Sequence, residues 1–335
     1  VVSSGTAALH LTALALGWKS DDIIITSPIT FLASANAIIY AGSTPDFVDI
    51  DPDRYTIDPN KLEDKVKKYL NKGKKIKAVI GIDYAGHPCD WKALRDIANK
   101  YEFKLVNDNC HALGASYFGN CKYAIQYADV VTQSYHAVKN ITTGEGGSIL
   151  TNDKSVDEKV RLLKSHGMKK NAKMNQESPW YYEMHEVGFN YRITDLQCAL
   201  GISQIKKLDN FVKKRRKIAS KYDKIFNQDD RFTIPKVFKN NQHAYHLYPL
   251  LIKFNKLKKD KNDFFNKMKR KKILLQVHYI PVHTQPFYKK NFNFRMGDFP
   301  LAENFYTNEV SIPIHVNLNE KEIDFVIKEI KKNLA

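Results

Sequence analysis

The sequence predicts an α/β protein with a mostly parallel sheet flanked by helices, followed by a smaller α+β domain. Short apolar runs alternate with amphipathic stretches of helical length in the first half of the chain, as in strand–helix–strand units. A chain of 335 residues with 43% hydrophobic content can bury a sizeable core and divides naturally into one large and one smaller domain. The predicted large domain spans residues 1–205, and the predicted small domain spans residues 206–335.

Runs rich in isoleucine and valine define the predicted strands, and amphipathic stretches define the predicted helices. In the large domain, strands are expected at residues 23–26, 47–50, 78–82, 105–106, 130–131 and 149–150. Helices are expected at 60–71 and 90–100, with a long helix from Thr194 to about Phe226 that joins the two domains. In the small domain, strands are expected at 246–252, 274–278 and 310–314.

Lys139 lies on the connection between two predicted strands, at residues 129–133 and 146–151, in a segment that ends in a glycine-rich turn. Connections at sheet ends are where α/β proteins place their sites. An amine becomes a good nucleophile toward an aldehyde when an enclosed, electropositive site destabilises its ammonium form. Because Lys and Arg number 53, a solvated surface lysine is the common alternative. Lys139 is the predicted catalytic residue, provided that independent partners accompany it.

Three further elements supply such partners. The apolar run at 103–108 delivers Asp108 to the end of a strand, where its carboxylate can pair with a pyridine nitrogen, although a turn or cap role is the alternative. Residues 3–9 indicate a loop entering a helix, whose N–H groups and the Thr6 hydroxyl can hold a phosphate or can form an ordinary N-cap. Ser134 offers another hydroxyl for the same phosphate.

Together with Phe31, these elements are expected to form one cofactor pocket. Their combination is far more specific for a cofactor site than any one of them. In this combination the chain resembles the DegT/DnrJ/EryC1/StrS family, the sugar-nucleotide branch of the fold-type I pyridoxal-phosphate aminotransferases. The resemblance runs from Ser3 to nearly the C-terminus. It implies the fold-type I architecture and pyridoxal 5′-phosphate as cofactor, in its pyridoxamine phosphate form during part of turnover.

The resemblance also implies roles for individual residues. Lys139 forms the internal aldimine and then moves the proton between substrate and cofactor, Asp108 faces the pyridine nitrogen, and His111 lies close to the cofactor. Phe31 lies where the family keeps an aromatic residue against the ring, and the loop at 3–9 with Ser134 binds the phosphate. The complete set of predicted cofactor-binding residues is Gly5, Thr6, Ala7, Phe31, Asp108, His111, Ser134, Lys139 and Asn190.

Residues 188–197 resemble the family motif that reaches into the neighbouring subunit. In that interpretation Asn190 touches the cofactor phosphate of the partner subunit, so the active unit is a homodimer with shared active sites. An ordinary helix start with Thr194 as N-cap is the alternative, and both can hold together. Some family members carry histidine at the position of Lys139 and are dehydratases, so the lysine favours transamination.

The segments at 84–90, 179–184 and 276–283 resemble family members of pseudaminic acid biosynthesis. This resemblance implies transfer of an amino group from glutamate to C4 of a UDP-linked 4-keto-6-deoxy-N-acetyl-hexosamine, giving UDP-4-amino-4,6-dideoxy-N-acetyl-β-L-altrosamine. A proline-rich connection with buried aromatic residues is the alternative interpretation of residues 278–288. No metal site is expected there, because His278 and His283 lack Cys or carboxylate residues at ligand spacing. The predicted substrate-binding residues are Tyr181, Arg192, His278, Tyr279, His283 and Tyr288.

Two departures from the family pattern stand out. Asn107 replaces the glutamate that usually precedes the aspartate, while Asp108 itself is present. The chain also begins almost at the phosphate loop and without methionine, whereas relatives carry a preceding segment. We therefore expect that an N-terminal segment is missing.

The formal net charge of +17 raises the alternative of nucleic-acid binding. The lysine runs fall mostly on polar helix faces and connections, without a recognition motif, which favours a solvated surface and no nucleic-acid partner. The four cysteines lack paired spacing, and no apolar run is long enough to span a bilayer, so no membrane partner and a cytoplasmic location are expected. The remaining alternatives are an aminotransferase for another nucleotide ketosugar and a non-catalytic regulatory protein with the same fold.

Overall fold

The computed structural model describes residues 1–170 and 178–334. The helices are α1 Gly5–Ala15, α2 Leu32–Tyr40, α3 Pro59–Leu70, α4 Trp91–Tyr101, α5 Tyr123–Tyr127, α6 Lys154–Leu163, α7 Asp195–Ile205, α8 Leu208–Phe226, α9 Phe254–Leu257, α10 Lys261–Arg270, α11 Pro286–Phe292, α12 Pro300–Asn308 and α13 Glu320–Asn333. The strands are β1 Ile23–Thr26, β2 Thr44–Phe47, β3 Ile76–Ile82, β4 Lys104–Asp108, β5 Val130–Ser134, β6 Gly147–Thr151, β7 Met168–Lys169, β8 Glu183–Met184, β9 Phe232–Thr233, β10 Tyr248–Ile252 and β11 Glu309–Ile312.

The large sheet has the strand order β2-β1-β3-β4-β5-β6. Its neighbouring strands run parallel except for the antiparallel pair β5 and β6. β1 is buried at every position, as expected for a parallel strand covered on both faces. The predicted mostly parallel α/β sheet is confirmed. The carboxyl ends of β1, β3, β4 and β5 meet at one edge, and that edge carries the site described below.

Helix starts follow the side chains that cap them. Asp58 accepts from backbone N–H groups at the start of α3, Asp90 does so for α4, and Thr194 forms a capping box with Gln197 at α7. The expected single helix from Thr194 to Phe226 is wrong, because the structure separates α7 from α8. α7 buries none of its residues, whereas α8 buries a stripe against the small sheet, so the two helices face different surroundings.

Two predicted strands are also displaced. The strand expected at residues 47–50 lies at Thr44–Phe47, because β2 is an edge strand in which Pro45 is tolerated. The strand expected at 274–278 is reduced to one bridge between Gln276 and Ser311. The small sheet instead consists of β11, β10 and β9 in antiparallel order.

The last third of the chain contributes to both cores. Val282, Tyr288, Phe299 and Phe305 pack in the same buried cluster as residues of the large sheet such as Ile24. A second cluster joins α8, β10, β11 and α13 in the small domain. Because the last third of the chain packs into both clusters, the division into two domains at residue 205 stays a prediction. Within the described residues, no helix combines the length and apolar character needed to cross a bilayer.

Candidate active site

A cavity of about 570 Å³ opens at the carboxyl edge of the large sheet. It is lined by residues from the N-terminus of α1, from the ends of β3, β4 and β5, and by His246, His278 and Tyr279 from the last third of the chain. Ligand sites in open α/β sheets lie at this edge. The predicted residues that the structure brings together here are Gly5, Thr6, Phe31, Asp108, His111, Ser134, Lys139, His278 and Tyr279.

Lys139 stands on the connection from β5 to β6, as expected, and its side chain lines the cavity. Burial lowers the pKa of Lys139 from its usual value, while Cys110 and Asp108 oppose that shift. A lower pKa leaves more neutral amine at a given pH, which is the form that attacks a carbonyl. Its Nζ has no hydrogen-bond partner in residues 1–170 and 178–334.

Asp108 closes β4 and is held by hydrogen bonds on both carboxylate oxygens. Ser34 Oγ donates to Oδ2 at 2.6 Å, and the Cys110 N–H donates to Oδ1 at 3.2 Å. Because Ser34 gives its only proton to Asp108, Thr30 Oγ1 must donate to Ser34 Oγ across their 2.8 Å contact. This buried chain fixes the carboxylate in the cavity wall. It can face a protonated ring nitrogen.

The N-terminus of α1 faces Ser134 across the cavity wall. Ser4 caps the helix by accepting from the Ala7 N–H at 3.0 Å, which leaves the Gly5 and Thr6 N–H groups unpaired within the described part of the chain. A side chain on Gly5 would place its Cβ 2.8 Å from Ser134 Cβ. Glycine thus lets the Ser134 hydroxyl approach the helix N-terminus, where the helix dipole favours an anion.

Gly5→Ala is expected to weaken binding of a phosphate-bearing cofactor by about tenfold or more, because the added methyl group pushes Ser134 away from the helix. Cofactor titration of the apoprotein measures the change. Ser134→Ala serves as the comparison, since it removes the hydroxyl without a steric clash. An unchanged dissociation constant in Gly5→Ala would show that this helix start does not hold the phosphate.

His111 and Tyr279 form a hydrogen-bonded pair beside the cavity. The Ala85 N–H donates to His111 Nδ1 at 3.2 Å, so the proton of the neutral ring lies on Nε2 and is donated to the Tyr279 hydroxyl at 3.1 Å. Burial, reinforced by the charge of Lys139, holds the pKa of His111 well below its usual value. Tyr279 keeps its own proton free for a ligand, and its ring lies 6.0 Å from that of Phe31.

Two residues of the site were missed in the sequence. Ser34 lies in α2, and the four-residue spacing from Thr30 is the signal that could have indicated a polar pair on one face. His246 precedes β10 and lines the same cavity, with its ring centroid 4.4 Å from that of His111. Nothing in the local sequence around His246 indicates this position, because a residue distant in the sequence fixes its backbone. Arg215 of α8 donates a hydrogen bond to the His246 carbonyl at 3.1 Å.

Three residues predicted to bind the cofactor or the substrate do not line this cavity: Ala7, His283 and Tyr288. The Ala7 side chain is buried in the core and its N–H is engaged by Ser4. His283 is fully buried and its Nε2 contacts Glu303 at 2.9 Å. The Tyr288 ring is buried, and its hydroxyl donates to Asn36 at 2.7 Å. The alternative of a connection with buried aromatic residues describes His283 and Tyr288 better.

Tyr181, Asn190 and Arg192 are exposed and do not line this cavity. Tyr181 lies next to the short β7–β8 ribbon and donates to Glu183 at 3.1 Å. Asn190 pairs through its backbone with Ser165. Their predicted roles involve a second subunit or a bound substrate, so these roles stay predictions.

The residues present fit pyridoxal phosphate. The cavity offers an amine, an anchored carboxylate, apolar surface from Phe31, and a helix N-terminus with two N–H groups, and neither the amine nor these N–H groups have a partner among the described residues. The Gly5–Ser134 approach provides a cradle that a Cβ would fill. These features match an aldehyde, a pyridine ring and a phosphate dianion in number and chemistry.

Comparisons with known proteins agree with this geometry. The model of the DegT/DnrJ/EryC1/StrS aminotransferase family matches residues 1–331. The chain is 40% identical over 328 residues to the UDP-4-amino-4,6-dideoxy-N-acetyl-beta-L-altrosamine transaminase of Campylobacter jejuni, covering 97% of this chain and 82% of that protein.

Solved structures give the same result for the fold. The Helicobacter pylori aminotransferase PseC, involved in the biosynthesis of pseudoaminic acid, superposes with a TM-score of 0.89 at 34% identity, covering 99% of this chain and 85% of that chain. The putative sugar aminotransferase Spr1654 from Streptococcus pneumoniae, in its PMP form, also gives a TM-score of 0.89, at 27% identity and with coverage of 99% and 86%.

Proposed function

The chain belongs to the DegT/DnrJ/EryC1/StrS aminotransferase family, and from that premise we propose that it is a pyridoxal-phosphate-dependent sugar-nucleotide aminotransferase. The proposed reaction moves an amino group from glutamate to C4 of a UDP-linked 4-keto-6-deoxy-N-acetyl-hexosamine. Its product is UDP-4-amino-4,6-dideoxy-N-acetyl-β-L-altrosamine. The observation that carries this proposal is that Lys139, whose amine is largely buried and pairs with no described residue, lines the same cavity as the anchored Asp108.

When bound, pyridoxal phosphate supplies an aldehyde that takes up amines and a ring that accepts the electron pair of the substrate carbon. Lys139 would hold the cofactor covalently in the resting enzyme. Its Nζ would then act as base and as acid, moving the proton between the substrate carbon and C4′ of the cofactor. The lowered pKa of Lys139 favours the neutral amine that the first of these steps requires.

The surrounding residues would orient these groups. Asp108 would keep a proton on the ring nitrogen, and the hydrogen bonds from Ser34 and Cys110 keep its carboxylate in place. The α1 N-terminus and Ser134 would bind the phosphate. Phe31 would contact the ring from the cavity wall, and the Tyr279 hydroxyl, which accepts from His111, would donate its own proton to a bound ligand.

The substrate assignment is supported by the identity to the Campylobacter jejuni transaminase and by the close superposition on PseC. Selection among sugar epimers can depend on a single hydrogen bond, so a direct assay decides it. Purified protein is mixed with pyridoxal phosphate, glutamate and a panel of UDP-, dTDP- and GDP-linked ketosugars, and products are identified by mass spectrometry.

Amination of the L-arabino UDP-linked 4-ketosugar alone is the expected result. Amination of a different ketosugar would retain the reaction and overturn the proposed substrate. Absence of product from every sugar, despite bound cofactor, would overturn the proposed function. Sugar nucleotides and glutamate are cytoplasmic metabolites, so we propose a cytoplasmic location for the enzyme.

We also propose that the enzyme is a homodimer whose subunits share each active site. α7 exposes Leu196 at 85%, Ile202 at 61% and Ile205 at 51%, although its capping box marks it as a well-formed helix. In the segment that precedes α7 in the sequence, Trp180 and Val187 are 77% and 80% exposed. Large apolar side chains exposed at these positions support an interface with another chain. A second copy is the occupant that also brings Asn190 to a cofactor phosphate.

Mixing two inactive variants tests the shared site. Lys139→Ala and Asn190→Ala are each expected to be defective, but a mixed dimer contains one site with both residues intact. After subunit exchange, activity is expected to return to about a quarter of wild type, because half of the dimers are mixed and each has one of two sites restored. If activity does not recover although mass spectrometry shows that subunits have exchanged, Asn190 lies outside the shared site.

A further inference from the structure

A chain of hydrogen bonds leads from the interior of the small domain to the cavity. Glu309, at the start of β11, is fully buried and accepts from Ser311 Oγ at 2.5 Å. Ser311 Oγ also contacts His278 Nδ1 at 2.8 Å. The second oxygen of Glu309 accepts from the His278 N–H at 3.0 Å. Glu309 therefore binds the backbone of His278 directly and its ring through Ser311.

Ser311 Oγ links the buried carboxyl group of Glu309 to His278 Nδ1, because a hydroxyl can donate one hydrogen bond and accept another. The imidazole is neutral, because burial and the charge of Lys139 lower the pKa of His278 to about 4. The remaining nitrogen, Nε2, has no hydrogen-bond partner in the described part of the chain, and His278 lines the cavity.

Burial raises the pKa of the Glu309 carboxyl group above its usual value, although the hydrogen bonds from Ser311 and from the His278 N–H and the positive charge of Lys261 act in the opposite direction. The contacts of the chain are compatible with either protonation state of Glu309, because Ser311 Oγ can both donate and accept a hydrogen bond. The backbone of His278 is fixed further by the Tyr84 hydroxyl, which donates to its carbonyl.

We propose that Glu309 and Ser311 are positioning residues that fix the His278 ring with Nε2 available to the cavity, where it binds a sugar hydroxyl of the ketosugar substrate. This inference rests on the proposed function and adds Glu309 and Ser311, which the sequence did not indicate. A neutral imidazole suits a hydroxyl, which can donate or accept a hydrogen bond. It carries no charge to hold the carboxylates of an amino donor.

A double-mutant cycle on the holoenzyme tests this dependence. Ser311→Ala is expected to lower kcat/KM for the ketosugar by about tenfold, the usual effect of losing one well-placed hydrogen bond. The same change in a His278→Ala background is expected to have less than about a twofold effect, because Ser311 acts through His278. Additive effects would overturn the proposal.

The two half-reactions supply a readout that a general loss of structure would not produce. Conversion of the bound cofactor by glutamate, followed by absorbance, is expected to stay within about twofold of wild type in Ser311→Ala, while reconversion by the ketosugar slows by about tenfold. Equal slowing of both half-reactions would indicate a structural effect and would overturn the proposal. If wild type aminates no ketosugar, the proposed function fails before this comparison is reached.

Conservative variants and a matched control complete the experiment. Ser311→Thr keeps the hydroxyl and is expected to restore most of the ketosugar half-reaction. Glu309→Gln is nearly isosteric and can still bond Ser311 Oγ and the His278 N–H, so it is also expected to keep most of the ketosugar half-reaction. A ketosugar half-reaction as slow in both conservative variants as in Ser311→Ala would contradict the proposal. Ser43→Ala is the control, because Ser43 is also buried but bonds to the Lys19 carbonyl far from the cavity.

Discussion

Lys139→Ala is expected to lower the amination rate by about 10³-fold or more, because it removes both the covalent anchor and the base that moves the substrate proton. The structure gives this side chain an unusual setting for a lysine: it lines the cavity, its pKa is lowered mainly by burial, and no described residue pairs with its amine. Product formation by mass spectrometry measures the rate. Borohydride reduction followed by peptide mapping measures whether the cofactor is attached.

Lys139→Arg separates charge from nucleophilicity, since arginine stays charged and does not take over the chemistry of a neutral amine. It is expected to be as inactive as the alanine variant. Lys154→Ala is the matched control, because Lys154 lies at the start of α6 with its side chain 90% exposed. Attachment of the cofactor to another lysine in wild type, or unchanged turnover in Lys139→Ala, would exclude the proposed role.

Asp108→Asn is expected to lower the amination rate by about 10²-fold or more while the protein stays folded. The amide has nearly the shape of the carboxylate and can still accept from Ser34, but it lacks the charge that stabilises a protonated ring nitrogen. The loss should appear in both half-reactions, because both depend on the ring as an electron acceptor. Rapid mixing with glutamate and with the ketosugar measures each one separately.

Asp46→Asn is the control for loss of a buried carboxylate. Asp46 bonds Lys65 and Tyr69 at 2.6 Å each, on β2 and away from the cavity. This variant is expected to lower the unfolding temperature and leave the cofactor chemistry unchanged. Ser34→Ala should give a smaller loss than Asp108→Asn, about tenfold, because it removes one hydrogen bond and keeps the charge. Full activity in Asp108→Asn would show that the ring nitrogen has another partner.

Local sequence determined much of the fold. Aspartate or threonine caps set the starts of α3, α4 and α7 within one residue of the predicted positions, because a capping side chain acts on N–H groups only two or three residues away. The run at 23–26 forms β1 as predicted, since its continuous apolar character requires burial on both faces. The alternation of strands and helices was sufficient to predict a mostly parallel sheet.

Other elements depended on contacts that local sequence does not contain. Residues 274–278 have the composition of a strand, yet His278 donates its N–H to the Glu309 side chain, and only one bridge forms. The helix expected from Thr194 to Phe226 is divided into α7 and α8, and of these two helices only α8 buries residues in the core. His283 and Tyr288 belong to an aromatic-rich segment that resembles a binding loop, but they pack into the core.

The sequence by itself determined the identity and order of the chemical groups: Lys139 after one strand, Asp108 at the end of another, and a glycine–threonine helix start near the beginning. Parallel topology then places all three at one sheet edge, which is why the sequence alone was sufficient to predict that they form one site. Only the tertiary structure decided which distant side chains support them. Ser34, His246, Ser311 and Glu309 reach the cavity or its wall through packing between elements far apart in the chain, and such contacts leave no periodic signal in any one segment.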